Sequence, residues 1–194
     1  MTRQVCILQG HPHPTGKHLC HAIAEVYAQG AREAKANISI VDIGALDVPT
    51  LKNPEDFVAA PPPQIVAAQE VVSRAQHLVI IFPLWLGTMP ALVKSFFEQL
   101  SRDGFAIQTQ SGNQWPRQML KGKSARIIVT MGMPSFAYRW LFGAHGVRTL
   151  SKSIFGMSGI KPVHETLIGR VGALNASNSA KLLERIKQLG QRLQ

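Results

Sequence analysis

The fold turns on Phe82-Pro-Leu-Trp-Leu-Gly-Thr-Met-Pro-Ala-Leu-Val-Lys-Ser-Phe-Phe-Glu98. Immediately before it runs His77-Leu-Val-Ile-Ile-Phe82, short, apolar and rich in β-branched residues. Such a run reads as a strand buried on both faces. Beyond the loop, Leu92, Val93, Phe96, Phe97 and Leu100 recur at helical spacing. Strand and helix are joined by a loop holding Pro83, Trp85, Gly87 and Pro90. A Trp ring is largely apolar and costly to leave in water. In open α/β sheets, ligands bind at the carboxyl ends of the strands. Trp85 therefore has two readings: it caps the core of the strand–helix unit, or it walls a flat ligand.

Working outward toward the N-terminus, Val5-Cys-Ile-Leu8 is a short strand ending at Gln9-Gly10. The loop His11-Pro-His-Pro-Thr-Gly-Lys-His18 follows. Leu19, Ala22, Ile23, Val26 and Tyr27 then mark an amphipathic helix, with Thr15 as its expected N-cap. Residues 37–43 alternate apolar and polar and read as a second strand. The segment 47–63 is a loop holding Pro49, Pro54, Pro61, Pro62 and Pro63, five of the chain's twelve prolines. A helix over 65–76 leads into the central strand.

Toward the C-terminus, 102–123 contains Gly104, Gly112, Pro116 and Gly122 and no clean period. Connectors of that length are usually functional or mobile. Residues 125–131 form a fourth strand, 135–159 a mostly helical aromatic and basic segment, and 162–168 a fifth strand. A terminal helix over 175–193, capped by Ser177 or Asn178, presents Leu182, Ile186, Leu189 and Leu193 on one face. Strands alternating with helices imply a parallel sheet covered on both faces. The expectation is a single α/β domain, 1–194, with five strands in the order 2-1-3-4-5.

Composition agrees with one globular domain: 194 residues, 45% hydrophobic. Cys6 and Cys20 show no metal or disulfide spacing and read as a buried thiol and a helix residue. Met1-Thr-Arg-Gln4 leads directly into the first strand, and no apolar run reaches membrane-spanning length. A cytoplasmic location is expected. The net charge of +10 favours anionic partners. Its spread along the chain, with no clustered patch or recognisable module, argues against specific nucleic-acid binding.

In this strand order the loops after strands one, three and four reach the same sheet edge. They are 11–18, 83–87 and 130–138, the three loops of unusual composition. The first suits an anion: a helix N-terminus offers unpaired N–H groups. There Thr15 adds a hydroxyl, Gly16 a close backbone approach, and Lys17 and His18 cationic or donor groups. A nucleotide P-loop is excluded, because five residues separate Gly10 from Gly16 and His18 stands where a hydroxyl is required. His11, His13, His18, His21 and Cys20 raise the question of a metal. The helix is expected to carry His18 and His21 away from His11, so no metal is assigned. The second and third loops suit a flat heteroaromatic ring, with Pro83 to Gly87 and Trp85 on one side and Thr130, Gly132 and Met133 on the other.

With these residues quoted, the chain resembles the flavodoxin-like NAD(P)H dehydrogenase (quinone) family. The resemblance rests on Gly10-His-Pro, on Phe82 to Glu98 and on Thr130-Met-Gly-Met133, and it spans nearly the whole chain. It implies a flavodoxin-like three-layer sandwich and a tightly bound flavin, FMN or FAD. It also implies NAD(P)H as hydride donor in a ping-pong transfer to a quinone-like acceptor. The expected cofactor-binding residues are His11, Thr15, Gly16, Lys17 and His18 for the phosphate. For the ring they are Pro83, Leu84, Trp85, Leu86, Gly87, Thr130, Met131, Gly132 and Met133. Tyr138 and His145 stand where the family places its charge-stabilising pair, His145 one residue beyond the family spacing. Gly16-Lys17-His18 replaces the Ser-Phe-Asn common among relatives. Arg139, Arg148, Lys152 and Lys161 read as a solvated basic face rather than a site for the 2′-phosphate of NADPH.

A homodimer is implied as well. The alternative function is an ancillary subunit of a potassium-efflux antiporter, with peripheral contact at an anionic membrane. A small electron-carrier flavodoxin is disfavoured by the basic charge and by the long 102–123 loop.

Overall fold

Five strands form one all-parallel sheet: β1 (Gln4–Gln9), β2 (Asn37–Asp42), β3 (His77–Pro83), β4 (Ser124–Thr130) and β5 (Val163–Ile168). Their order is β2-β1-β3-β4-β5, the expected 2-1-3-4-5. The computed structural model describes residues 2–110 and 114–193; Gly112 of the long loop lies outside them. The helices are α1 (Leu19–Glu33), α2 (Pro63–Arg74), α3 (Ala91–Leu100), α4 (Ser135–Trp140), α5 and α6 (Ala176–Gln191). Helix α5 is a continuous run: α-helical over His145–Arg148, π-helical over Thr149–Phe155 and α-helical again over Gly156–Ser158.

Strand β3 is buried from His77 through Phe82, because helices cover both faces. Its period of two divides the core. Leu78, Ile80 and Phe82 join Cys6, Leu8, Ile127 and Val129 under α2 and α3. Val79 and Ile81 join Val5, Ile7 and Ile128 under α1 and α6. A Cβ on Gly30 would lie 2.0 Å from the Lys187 carbonyl oxygen, and one on Gly190 2.2 Å from that of Tyr27. The two glycines therefore let α1 and α6 pack backbone to backbone.

Several boundaries differ from the sequence reading, each for a local reason. Thr15 is not the cap of α1. The Pro14–Thr15 turn comes first, His18 takes the N-cap position, and the Thr15 hydroxyl lies 3.3 Å from His13 Nε2. Helix α6 is capped by Asn175, whose side chain accepts the Asn178 N–H at 2.8 Å, and not by Ser177 or Asn178. Ile43 leaves the second strand for a 3-10 turn. The loop 102–123 contains a short antiparallel pair, Ile107–Gln108 with Arg117–Gln118.

Candidate functional site

Strand β1 delivers the first loop to the sheet edge through Gly10. Its N–H donates to the Ile81 carbonyl at 2.7 Å, and a Cβ there would press against Ile81, Phe82 and Val93. The expectation that α1 carries His18 and His21 away from His11 is overturned. The His11 and His18 rings stack with centroids 3.7 Å apart, and His21 lies 5.6 Å from His11. Gly16 leaves room for two of the rings: a Cβ there would fall 2.1 Å from His18 Nε2 and 2.6 Å from His13 Nδ1. The N-terminus of α1 has no side-chain cap. Lys17 and Thr15 stand exposed beside it. Burial, and then the neighbouring histidines, lower the pKa of His11. Among the described residues, no group of three His, Cys, Asp or Glu is arranged to hold a metal ion.

The second loop is a tight hairpin. Trp85 N–H donates to the Thr88 carbonyl at 2.9 Å and Thr88 N–H to that of Trp85 at 3.0 Å. Leu86 and Gly87 between them have φ values of 46° and 80°. Two positive φ values in a two-residue connection define a type I′ turn, which suits Gly at the second position and strains a leucine at the first. Trp85 is half exposed and Leu86 fully so. Among the described residues, the Leu86 and Gly87 N–H groups donate to no protein acceptor. The turn thus holds two backbone donors and an indole toward solvent.

The same turn is tied to its neighbours. Leu84 N–H donates to the Thr130 carbonyl at 2.8 Å, and the Trp85 ring sits edge-on to His11 at 6.5 Å. All three loops therefore converge. The buried Tyr138 hydroxyl donates to the Gly87 carbonyl at 3.0 Å. Burial raises its pKa, while the Val147 and Gly146 N–H groups at the start of α5 pull it back. Gly146 permits the approach: a Cβ there would lie 2.6 Å from the Gly87 carbonyl oxygen. His145 is exposed on the first turn of α5.

In the third loop, Gly132 is exposed with open space where a side chain would be, and Met133 is half-buried beside it. Met131 turns into the core. The Thr130 side chain is buried too, its hydroxyl 3.4 Å from Cys20 Sγ, which leaves the Thr130 backbone as its link to the second loop. Arg170 and Val171, after β5, donate to the Met133 and Met131 carbonyls and pin the loop from behind. Three contributors escaped the sequence reading. Thr88 closes the hairpin, which Leu-Gly between paired residues signals. Gly146 and Gln9 act through tertiary packing and carry no local signature. An apolar cavity of about 730 Å³ lies elsewhere, walled by Phe57, Phe97, Ile107, Ile154 and Met157. The converged loops form an open surface instead, suited to a ring lying flat.

A doubly covered parallel sheet with convergent loops at its 1/3 switch point defines the doubly wound α/β class with a cofactor-type site. The chain belongs to the family described as having a flavodoxin-like fold, whose match spans residues 3–193. An uncharacterised NAD(P)H oxidoreductase of Haemophilus influenzae is 23% identical over 95% of this chain and 93% of its own length. A glutathione-regulated potassium-efflux system ancillary protein, KefG of Cronobacter sakazakii, is 34% identical over 49% of this chain and 50% of its own. Among solved structures, Smu.1420 of Streptococcus mutans superposes with a TM-score of 0.80 at 26% identity, covering 97% and 98% of the two chains. The NAD(P)H:quinone oxidoreductase of Methanothermobacter marburgensis gives 0.79 at 21% identity over the full length of both. An FMN-dependent NADH-azoreductase of Bacillus anthracis, solved with FMN, gives 0.74 at 14%, covering 100% and 99%.

Proposed function

We propose that this protein is a flavin-dependent NAD(P)H oxidoreductase that passes electrons to quinone-like acceptors. One observation carries the reading. A strained type I′ turn holds the Leu86 and Gly87 N–H groups, unpartnered among the described residues, and its Trp85 ring lies 6.5 Å from the His11 ring of the loop that leads into the uncapped α1. Strain of that kind persists where the surrounding structure over-determines it, and it clusters at binding sites. The residues fit a flavin mononucleotide: an anion site at one end, backbone donors for the ring's heteroatoms at the other, and an indole wall. When bound, the flavin supplies two-electron chemistry, accepting hydride from NAD(P)H and passing electrons to the acceptor.

Pro83 to Gly87 and Gly132-Met133 hold and orient the ring in this reading. The free N–H groups stand ready for negative charge developing at its edge, where preorganised donors are most effective. His11, Thr15, Gly16, Lys17 and His18 hold the phosphate. Tyr138 is a positioning residue, acting through the Gly87 carbonyl. Exposed His145 faces solvent and supplies a proton or positive charge to the acceptor. FMN is favoured over FAD because the similar Bacillus anthracis azoreductase was solved with FMN bound.

Leu86, Phe136, Trp140, Leu141 and Phe142 are exposed around the site. A homodimer that covers this apolar surface accounts for them. No described helix is long and apolar enough to cross a membrane, and we place the protein in the cytoplasm. A second reading, an ancillary subunit of a potassium-efflux system, rests on the half-length Cronobacter match. Purified protein mixed with FMN distinguishes the two. The flavin absorbance should bleach with NADPH or NADH under anaerobic conditions and return on adding a quinone. Failure to bind FMN or FAD removes the enzyme reading.

A further inference from the structure

The first loop holds more titratable groups than an ordinary phosphate cradle needs. Four of the chain's seven histidines, His11, His13, His18 and His21, meet there. Their hydrogen bonds define a protonation state. His11 Nδ1 accepts the His13 backbone N–H at 3.1 Å, so that nitrogen carries no proton. His13 Nδ1 and His18 Nε2 are 3.0 Å apart, a contact needing one proton and one lone pair. Full protonation of both rings would set two N–H groups against each other across that contact.

Two further groups at the loop lack partners. Gln9 is 3% exposed; its Oε1 accepts the His11 N–H at 2.6 Å, and its Nε2 has no partner among the described residues. Both ring nitrogens of His21 are buried and equally unpartnered. Buried polar atoms of this kind call for a ligand or water.

Apart from one acid, Asp42, the surroundings are cationic or neutral. The loop carries His11, His13, Lys17 and His18, and α1 contributes His21 and Cys20, the latter 3.4 Å from the Thr130 hydroxyl of β4. Strand β1 contributes Gln9, and the third-strand loop brings neutral Trp85. The acid on the neighbouring strand is Asp42, whose carboxylate accepts the Gly44 N–H at 3.2 Å. The charged neighbours that act on His11 are the other three histidines. Asp42 is engaged by the Gly44 N–H and is not among the charges acting on His11, so a bound dianion would supply the counter-charge the imidazoles lack.

We propose that His11, His13, His18 and His21, with Lys17 and the Gln9 carboxamide, form a proton-coupled site for a phosphate monoester dianion. Binding draws a proton from solvent onto an imidazole ring nitrogen, turning a lone pair into an N–H donor to the anion; no covalent bond changes. The flavin 5′-phosphate is one source of that chemistry and free phosphate another. The first source rests on the flavin reading above; the site itself does not.

The test compares FMN with riboflavin, which lacks the phosphate, by fluorescence titration between about pH 8.5 and 6.5. Imidazole titrates near 6.5 and the phosphate's second proton near 6, so the ligand stays mainly dianionic over this range. The Kd for FMN should tighten about three- to tenfold per pH unit, tenfold marking one full proton taken up. The Kd for riboflavin should stay flat. The double variant His13→Asn/His18→Asn should lose most of that slope, and Gly16→Ala, whose Cβ displaces both rings, should do the same with every histidine retained. Equal slopes for FMN and riboflavin, or a slope unchanged in both variants, overturn the proposal. If no flavin binds at any pH, NMR titration of the imidazole signals with inorganic phosphate decides. Raised titration midpoints uphold the site while the flavin reading fails; unmoved midpoints overturn both.

Discussion

Tyr138→Phe deletes one oxygen from the point where α4, α5 and the Trp85–Thr88 turn meet. The hydroxyl is buried and donates to the Gly87 carbonyl at 3.0 Å. A buried hydrogen bond contributes about 1 kcal/mol net, and leaving its acceptor unsatisfied costs about 1–3 kcal/mol. Against this tether stands Leu86 at φ 46°, a left-handed conformation that costs a non-glycine residue about 1–2 kcal/mol. The two quantities are comparable, so without the hydroxyl the strain is no longer offset there and the turn relaxes part of the time. Apparent affinity falls with the population of the binding-competent state. A loss of about 0.7–1.4 kcal/mol makes that about three- to tenfold. FMN and riboflavin should weaken by the same factor, because the turn meets the ring and not the phosphate. Urea unfolding should show a stability loss of about 1–2 kcal/mol. Leu86→Gly in the Tyr138→Phe background removes the strain and should recover part of the affinity. Unchanged flavin affinities in a folded Tyr138→Phe variant would refute the assignment of this hydroxyl as the brace of the turn.

Three other outcomes follow from particular contacts. His77 is buried, and burial lowers its pKa to about 4. The unfolded chain therefore takes up this proton first as pH falls, and stability is lost between pH 6.5 and about 4, by about 3 kcal/mol in total. A His77→Asn variant that keeps the Ser124 hydrogen bond should flatten that part of a urea-unfolding pH profile; an unaltered profile assigns the proton elsewhere. Gly30→Ala sets a Cβ 2.0 Å from the Lys187 carbonyl oxygen. The resulting separation of α1 and α6 should outweigh the helix-propensity gain and cost a net of about 1–2 kcal/mol in chemical denaturation. A more stable variant would contradict the close packing. Trp85→Ala should weaken FMN binding well beyond Trp115→Ala, since Trp85 lies 6.5 Å from the His11 ring and Trp115 borders a separate groove with Lys121 and Lys152; equal effects would move the ring away from the second loop.

Much of the fold is legible in short-range pattern. The all-apolar His77–Phe82 run, the helical spacing after Pro90 and the alternation of strands with helices lead to the sheet order without any distant contact. The convergence of three loops follows from that order. The caps were harder. Thr15 and Ser177 carry the right side chains, but capping depends on where the chain first turns, and His18 and Asn175 hold those places. The histidines show the same limit. Helical spacing places His18 and His21 one turn apart, yet only the return of the loop over Gly16 stacks His18 on His11.

The sequence by itself determined the layers, the strand order and the sheet edge that carries the site, because those depend on periodicity and on the alternation of strands with helices. Tertiary structure decided the rest. It braced the turn with Tyr138 and admitted α5 through Gly146. It also left Gln9 Nε2 and both ring nitrogens of His21 buried without partners among the described residues, beneath a cluster of imidazoles. Those features arise where segments far apart in the chain come within hydrogen-bonding distance, and nothing in a local window of residues encodes that distance.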